Sequence, residues 1–248
     1  MSRFKHVADI DPQSAPAQQP QQNYSYSSGQ YTSSTPNQPQ MGMSAEDAKL
    51  MEMQKSWPQV FPKAIVGLDR DGVINIDRGE YITSPQQWEP IPGSLEAIRM
   101  IRLKGYKVVI LTNQGGIIKG LQTHEQVDAV HQHMMEVFGK AGIFSIDGMF
   151  YSETSLKEDY YAKPNLGMFH RAEKEIFENK IRFKQGGFYV GDKMTDLKAA
   201  SRIGAKPILV RTGHGEETEK ALKKFSAEKL RKKTSTFNSL LDFAKALK

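Results

Sequence analysis

From residue 63 onward, short apolar runs alternate with stretches of helical periodicity. The runs at 64–68, 106–111, 148–151, 187–190 and 207–210 are rich in β-branched and aromatic side chains and bounded by polar residues or glycine. That pattern predicts strands. Between them the spacing predicts helices over 94–104, 124–139, 166–179 and 195–203. Gly105, Gly142 and Gly204 stand just past three of these helices, where a left-handed residue commonly ends the helix. Alternation of this kind predicts an α/β fold, a three-layer sandwich around a mainly parallel sheet. Ligands then collect at the carboxyl ends of the strands.

Residues 12–45 break the pattern: they carry no charged side chain and consist largely of Gln, Ser, Pro, Asn, Thr and Tyr. Such a composition buries too little apolar surface to offset its ordering entropy. Residues 1–60 are therefore expected to form a disordered extension, with a short helix over 44–55 capped by Ser44. One globular domain is expected over 61–248. The tyrosines of the extension, in a Gln-rich setting, resemble adhesive low-complexity segments, so the extension reads either as passive or as an interaction tail of unknown partner.

The chain has no cysteine, which excludes disulfides, a thiolate zinc site and a cysteine nucleophile. No stretch approaches eighteen consecutive apolar residues, and the first dozen residues lack a signal-peptide core. A cytoplasmic protein with no membrane partner is expected. The net charge is +6, and from Gly213 onward nine Lys or Arg face five Asp or Glu. The basic residues Lys220, Lys223, Lys224, Lys229 and Arg231 to Lys233 read as the solvated face of a surface helix, or as a nucleic-acid contact.

Chemistry gathers just beyond the strands. Asp69-Arg70-Asp71-Gly72 follows the first, Thr112-Asn113-Gln114-Gly115-Gly116 the second, and Gly191-Asp192-Lys193-Met194-Thr195-Asp196 the fourth. Lys163-Pro164 lies in the loop after the third. Each alone is weak: an Asp-x-Asp-Gly occurs in many turns, and a Thr-Asn is an ordinary helix cap. Together and in this order they suit phosphoryl transfer. Asp69 is the candidate nucleophile and Asp71 the candidate acid and base. Gly72 lets the chain turn sharply. The carboxylates of Asp69, Asp192 and Asp196 need a cation to offset their repulsion, and an all-oxygen set favours Mg²⁺. Thr112, Asn113 and Lys163 supply donors and charge to a phosphate, with Gln114 and Lys193 as further phosphate or substrate contacts.

With these four motifs the chain resembles the haloacid dehalogenase (HAD) superfamily of phosphatases. The resemblance covers roughly residues 63–247. It implies a Rossmann-like, HAD-like sheet of five parallel strands with the first at the centre. It also implies a metal held by Asp69, Asp192, Asp196 and the backbone carbonyl of Asp71. Within the superfamily, Asp69-Arg-Asp-Gly-Val-Ile-Asn75, Gly79-Glu-Tyr81, Trp88-Glu-Pro-Ile-Pro92-Gly93, Lys163-Pro-x-x-Gly167-Met168 and Val210-Arg-Thr-Gly213 are similar to the histidinol-phosphatase and heptose-bisphosphate phosphatase group. The short gaps between motifs leave no room for a large cap domain. Two departures stand out. Ala162 replaces the arginine that usually precedes Lys-Pro, and the loop 152–161 lacks the zinc ligands that group often carries, so no zinc is expected.

Three readings follow. The first is a Mg²⁺-dependent phosphatase acting through an aspartyl phosphate on a sugar phosphate such as D-glycero-D-manno-heptose 1,7-bisphosphate. The second is a polynucleotide 3′-phosphatase-like enzyme with a nucleic-acid partner. The third is a non-catalytic binding or assembly protein on the same fold. His131 and His133, two apart on one helix, cannot share a face as metal ligands. His170 and His214 are expected at the surface, and Trp88 and Tyr81 either pack or floor a sugar.

Overall fold

The computed structural model describes residues 63–248. The expected extension over 1–60, with its helix at 44–55, lies outside them. The strands are β1 (Ile65–Leu68), β2 (Lys107–Asn113), β3 (Gly148–Ser152), β4 (Phe188–Gly191), β5 (Lys206–Val210) and β6 (Ser235–Phe237). All pair in parallel, in the order β3-β2-β1-β4-β5-β6, which leaves β1 inside the sheet. Among the described residues the α-helices are α1 (Ser94–Leu103), α2 (His124–Lys140), α3 (Gly167–Glu175), α4 (Met194–Ile203), α5 (Gly215–Leu222), α6 (Glu228–Lys233) and α7 (Leu240–Ala246).

The alternation of each strand sorts its side chains between two layers. Val66 and Leu68 of β1, Val108 and Ile110 of β2, and Ile208 and Val210 of β5 enter one core with Ile98 and Ile101 of α1, Met134 and Phe138 of α2, and Phe243 of α7. Ile65, Val109, Leu111 and Tyr189 point the other way, onto Met168 and Phe169 of α3 and Ala199 and Ala200 of α4. Both faces of the sheet are thus covered, as an all-parallel sheet requires. The α/β sandwich is the expected one, with six strands where five were expected. The extra strand, Ser235-Thr236-Phe237, is half-buried at the sheet edge and carries no apolar run to announce it.

Local chemistry sets the element ends. Thr123 accepts from the Gln126 amide at 3.2 Å while the Gln126 side chain accepts from the Thr123 N–H at 2.9 Å, a reciprocal cap that starts α2. Gly105, Gly142 and Gly204 take φ of +85°, +73° and +85°. The helix expected over 166–179 ends at Glu175 instead. Glu178 and Asn179 turn left-handed, and the buried Glu173 carboxylate accepts the Phe183 N–H at 2.8 Å, which folds the chain back toward β4. Besides these helices and strands, the segments between the motifs hold only loops and one short turn of 3₁₀ helix at Pro85–Gln87, with no inserted domain among the described residues. No helix among them is long and apolar enough to cross a membrane.

Candidate active site

The carboxyl ends of β1, β2 and β4 bring Asp69, Thr112, Asp192 and Asp196 together, and the loop after β3 adds Lys163. Four of these five side chains are charged and nearly excluded from water. Burial at this cost demands mutual compensation. Lys163 provides it: its Nζ lies 2.9 Å from Asp69 Oδ1 and 2.8 Å from Asp196 Oδ1, and donates to the Tyr189 hydroxyl at 2.9 Å. The Tyr189 hydroxyl in turn donates to the Leu111 carbonyl at 2.5 Å. Burial opposes the ammonium charge, but Asp196 and Asp69 outweigh it and raise the lysine's pKa.

Asp69 is aimed by the sheet. Its N–H donates to Val190 O of β4 at 2.9 Å, and its Oδ1 accepts from the Arg70 N–H at 2.8 Å. Burial raises the Asp69 pKa, Lys163 draws it down and Asp196 adds to the rise; the balance is upward. Asp192 is pushed up to about 8, chiefly by burial, with Lys193 opposing and Asp196 and Asp69 adding to the rise. Its Oδ2 accepts the His214 N–H at 2.8 Å. Its Oδ1 is buried without a hydrogen-bond partner.

That orphaned oxygen bears on a metal. Asp69, Asp192 and Asp196 offer carboxylate oxygens within 4.8 Å of one another. A compact all-oxygen set with an unpaired buried acceptor fits a hard divalent cation. Glycines make the approach: a Cβ on Gly72, at φ +80°, would stand 2.2 Å from Asp192 Oδ2, and one on Gly213, at φ +58°, 2.3 Å from the same atom. The Thr212 hydroxyl donates to Gly72 O at 2.6 Å and locks the two loops together.

Asp71 turns away from this cluster. Arg70, fully buried, reaches both of its oxygens at 2.9 Å, Asn75 donates at 3.0 Å and Gln114 at 3.2 Å. Burial works to raise the Asp71 pKa, but Arg70, then Asn75 and Gln114, prevail and hold it below the usual carboxylate range. Arg70 Nη1 also lies 2.9 Å from His131 Nε2. Because an arginine only donates, His131 accepts there, and burial foremost and then Arg70 hold its pKa down at about 3.

Other expected contacts divide. Thr112 is buried, and its Oγ1 accepts from Gln114 at 3.0 Å, so its own proton remains to be donated. The side chain of Asn113, expected on a phosphate, is instead engaged by Lys163, accepting its N–H at 3.0 Å and donating to its carbonyl at 3.1 Å. Gln114, also expected there, links Arg70, Asp71 and Thr112. Both position other site groups. Lys193 caps the entry to α4 and donates from Nζ to Asp77 at 3.0 Å, and Asp192 and its acidic neighbours raise its pKa against burial. Ala162 is fully buried, so an arginine would not fit there without moving its loop.

His214 is not the plain surface residue expected, since its backbone supports Asp192 and its ring lies 3.4 Å from Asp77. Trp88 packs edge-on against Phe138 in the core, and Tyr81 stays on the rim, accepting from Lys119 at 3.0 Å. Arg70, Asn75, Asp77, His131, Tyr189 and Thr212 received no role from the sequence. Arg70 and Asn75 flank Asp71 in the first motif, a visible signal; His131 and Tyr189 had none beyond an unassigned polar atom on a helix or strand.

The profile of the polynucleotide kinase 3 phosphatase family matches residues 65–245. D-glycero-beta-D-manno-heptose-1,7-bisphosphate 7-phosphatase of Pseudomonas putida is 38% identical over 152 residues, 61% of this chain and 84% of that one. The enzyme of the same name from Neisseria meningitidis serogroup A is 34% identical over 181 residues, 73% of this chain and 92% of that one. In structure, the D,D-heptose 1,7-bisphosphate phosphatase of B. bronchiseptica complexed with magnesium and phosphate is similar with a TM-score of 0.66 at 30% identity, over 74% of this chain and 97% of that one.

Proposed function

Because the chain belongs to the polynucleotide kinase 3 phosphatase family of HAD-type phosphatases, we propose that it is a Mg²⁺-dependent hydrolase of a sugar bisphosphate, D-glycero-D-manno-heptose 1,7-bisphosphate in the first instance. The observation that carries this reading is the seat of Lys163 between Asp69 and Asp196, beside the partnerless oxygen of Asp192. It leaves a nucleophilic carboxylate, a fixed cation and an unfilled acceptor on one rim.

In this reading Asp69 attacks phosphorus and the bond to the sugar oxygen breaks, leaving an aspartyl phosphate. Asp71 gives its proton to the departing oxygen, then takes one from the water that releases inorganic phosphate. In the pose seen here Arg70 holds Asp71 as an anion, the form that activates water. Proton donation requires it to leave Arg70. Lys163 and the Thr112 hydroxyl grip the phosphoryl oxygens; Asn113 and Gln114 keep those two groups in place. Lys193 adds positive charge at the rim. Asp69, Asp192, Asp196 and the Asp71 carbonyl are proposed to hold magnesium, which when bound neutralises the carboxylates and polarises the phosphate.

The test is phosphate release from heptose 1,7-bisphosphate, histidinol phosphate and a 3′-phosphorylated oligonucleotide, with Mg²⁺ and with EDTA. The expected outcome is the highest kcat/KM on heptose bisphosphate, loss in EDTA, restoration by Mg²⁺ and loss in Asp69→Asn. Borohydride trapping, which converts an aspartyl phosphate to homoserine, should modify Asp69. Preference for the oligonucleotide would transfer the assignment to the 3′-phosphatase reading. Inactivity on all three would favour the binding-protein reading.

A further inference from the structure

Three of the basic residues near the C-terminus, Lys224, Lys229 and Lys233, line a groove against α4, with a cavity of about 640 Å³. Lys198 and Arg202, four apart on α4, line one wall. Lys229 and Lys233, four apart on α6, line the other, with Lys224 at the turn between α5 and α6. Among the described residues no carboxylate lines the groove. Among the described residues none of the four lysines has an ion-pair partner; Glu228 pairs instead with Lys232, outside the groove. Arg202 donates to Pro164 O and Asn165 Oδ1, which are neutral, so its charge also stays uncompensated.

The floor is apolar, formed by Met194, Ala227 and Leu230. Phe225 stands between the lining residues Lys224 and Ser226 and is 91% exposed, the most exposed of the large hydrophobic side chains among the described residues. The groove starts at Pro164 and Met194, each next in the chain to a lysine of the candidate active site. From there it runs along α4, away from that site.

We propose that this groove binds a single strand of nucleic acid along its phosphodiester backbone. Cations four apart on a helix repeat at about 6 Å along its axis, comparable to successive phosphates of an extended strand. Two such rows facing each other across a trough track a backbone, and an exposed aromatic at its side offers a stacking surface to a base. A concave trough does not suit the flat face of a membrane, and an acidic peptide has no use for the stacking surface. Strand binding here is independent of which phosphomonoester the active site cleaves.

The test uses the full chain in EDTA with a fluorescein-labelled oligothymidylate that has no terminal phosphate, read by fluorescence anisotropy across a salt series. Binding at about 50 mM salt that weakens steeply with added salt is expected. Replacing Lys198, Lys229 and Lys233 together by Gln should weaken it at least tenfold and reduce the slope of log K against log salt by about 2. Phe225→Ala should weaken it about fivefold for any base composition. The charge-matched control Lys140→Gln, Lys180→Gln and Lys206→Gln, three exposed lysines outside the groove, should bind as the parent does. Unchanged phosphate release from a small phosphomonoester in the triple variant would show that the fold is intact. Equal binding by the triple variant and the parent would overturn the proposal. So would loss of binding in Asp69→Asn, which would put the strand in the active site. Displacement of the strand at equal charge concentration by polyglutamate or phosphatidylserine vesicles would overturn the nucleic-acid assignment in favour of an acidic protein or a lipid surface.

Discussion

Asp69 and Asp71 stand two residues apart beyond β1, and their surroundings push them in opposite directions. Asp69 looks into a cluster of buried carboxylates held by one lysine, and its pKa rises. Asp71 looks back at Arg70, Asn75 and Gln114, and its pKa falls. The first arrangement sets three buried carboxylates against the one lysine seated among them, an excess of negative charge that a bound cation would offset. The second is complete without ligand. Two carboxylates of one motif can therefore take separate chemical roles because the groups facing them differ, not because their own chemistry does.

The change expected to break this contrast most severely is Lys163→Met. It leaves Asp69 and Asp196 buried without their shared cation, so unfolding free energy in urea should drop by about 3–5 kcal/mol, with phosphatase activity lost. A variant as stable as the parent would contradict the ion-pair account. Next comes Asp71→Asn. With the proton carrier gone and the buried cluster intact, kcat should fall by about 10²–10⁴-fold while metal-induced stabilisation in a thermal melt persists.

Gly213→Ala probes the Asp192 side. A left-handed backbone and a methyl group forced against Asp192 Oδ2 should cost about 1–3 kcal/mol and weaken the thermal response to Mg²⁺. The smallest effect sharpens the Asp71 side through His131. Folding lowers its pKa from 6.5 to about 3, so between those values the unfolded chain binds the proton and the folded one does not. Its stabilising share is thus complete above pH 6.5 and is lost as pH falls toward 3. His131→Gln keeps an acceptor for Arg70 but does not titrate. The stability of the parent relative to this variant should decline by about 2 kcal/mol between pH 7 and 5 in paired urea titrations. A constant difference would mean that His131 takes up its proton in the folded protein as it does in the unfolded chain.

Much of this was legible in the chain. Five of the six strands follow from β-branched or aromatic runs such as Ile65-Val66, Val108-Val109-Ile110 and Phe150-Tyr151, and three helix ends follow from glycine. Asp69, Thr112, Lys163, Asp192 and Asp196 were picked out by standing just past strands, since a parallel sheet delivers those positions to one edge. The missing strand, Ser235-Thr236-Phe237, lies half-buried on the sheet edge, where no apolar run is needed. The overlong third helix failed because Glu173 spends its carboxylate on Phe183, a contact that local spacing cannot reveal.

By itself, then, the sequence determined which residues reach the rim, because strand period and motif order depend on near neighbours alone. Only the tertiary structure decided what those residues face. It turned Asp71 onto Arg70 and Arg70 onto the buried His131, drew Asn113 onto the Lys163 backbone, and left one oxygen of Asp192 without a partner. It also made a groove from basic residues that in one dimension were only a charge run. The reason is physical: burial and pairing of charge are set by groups tens of residues apart, and distance along the chain says nothing about distance in the fold.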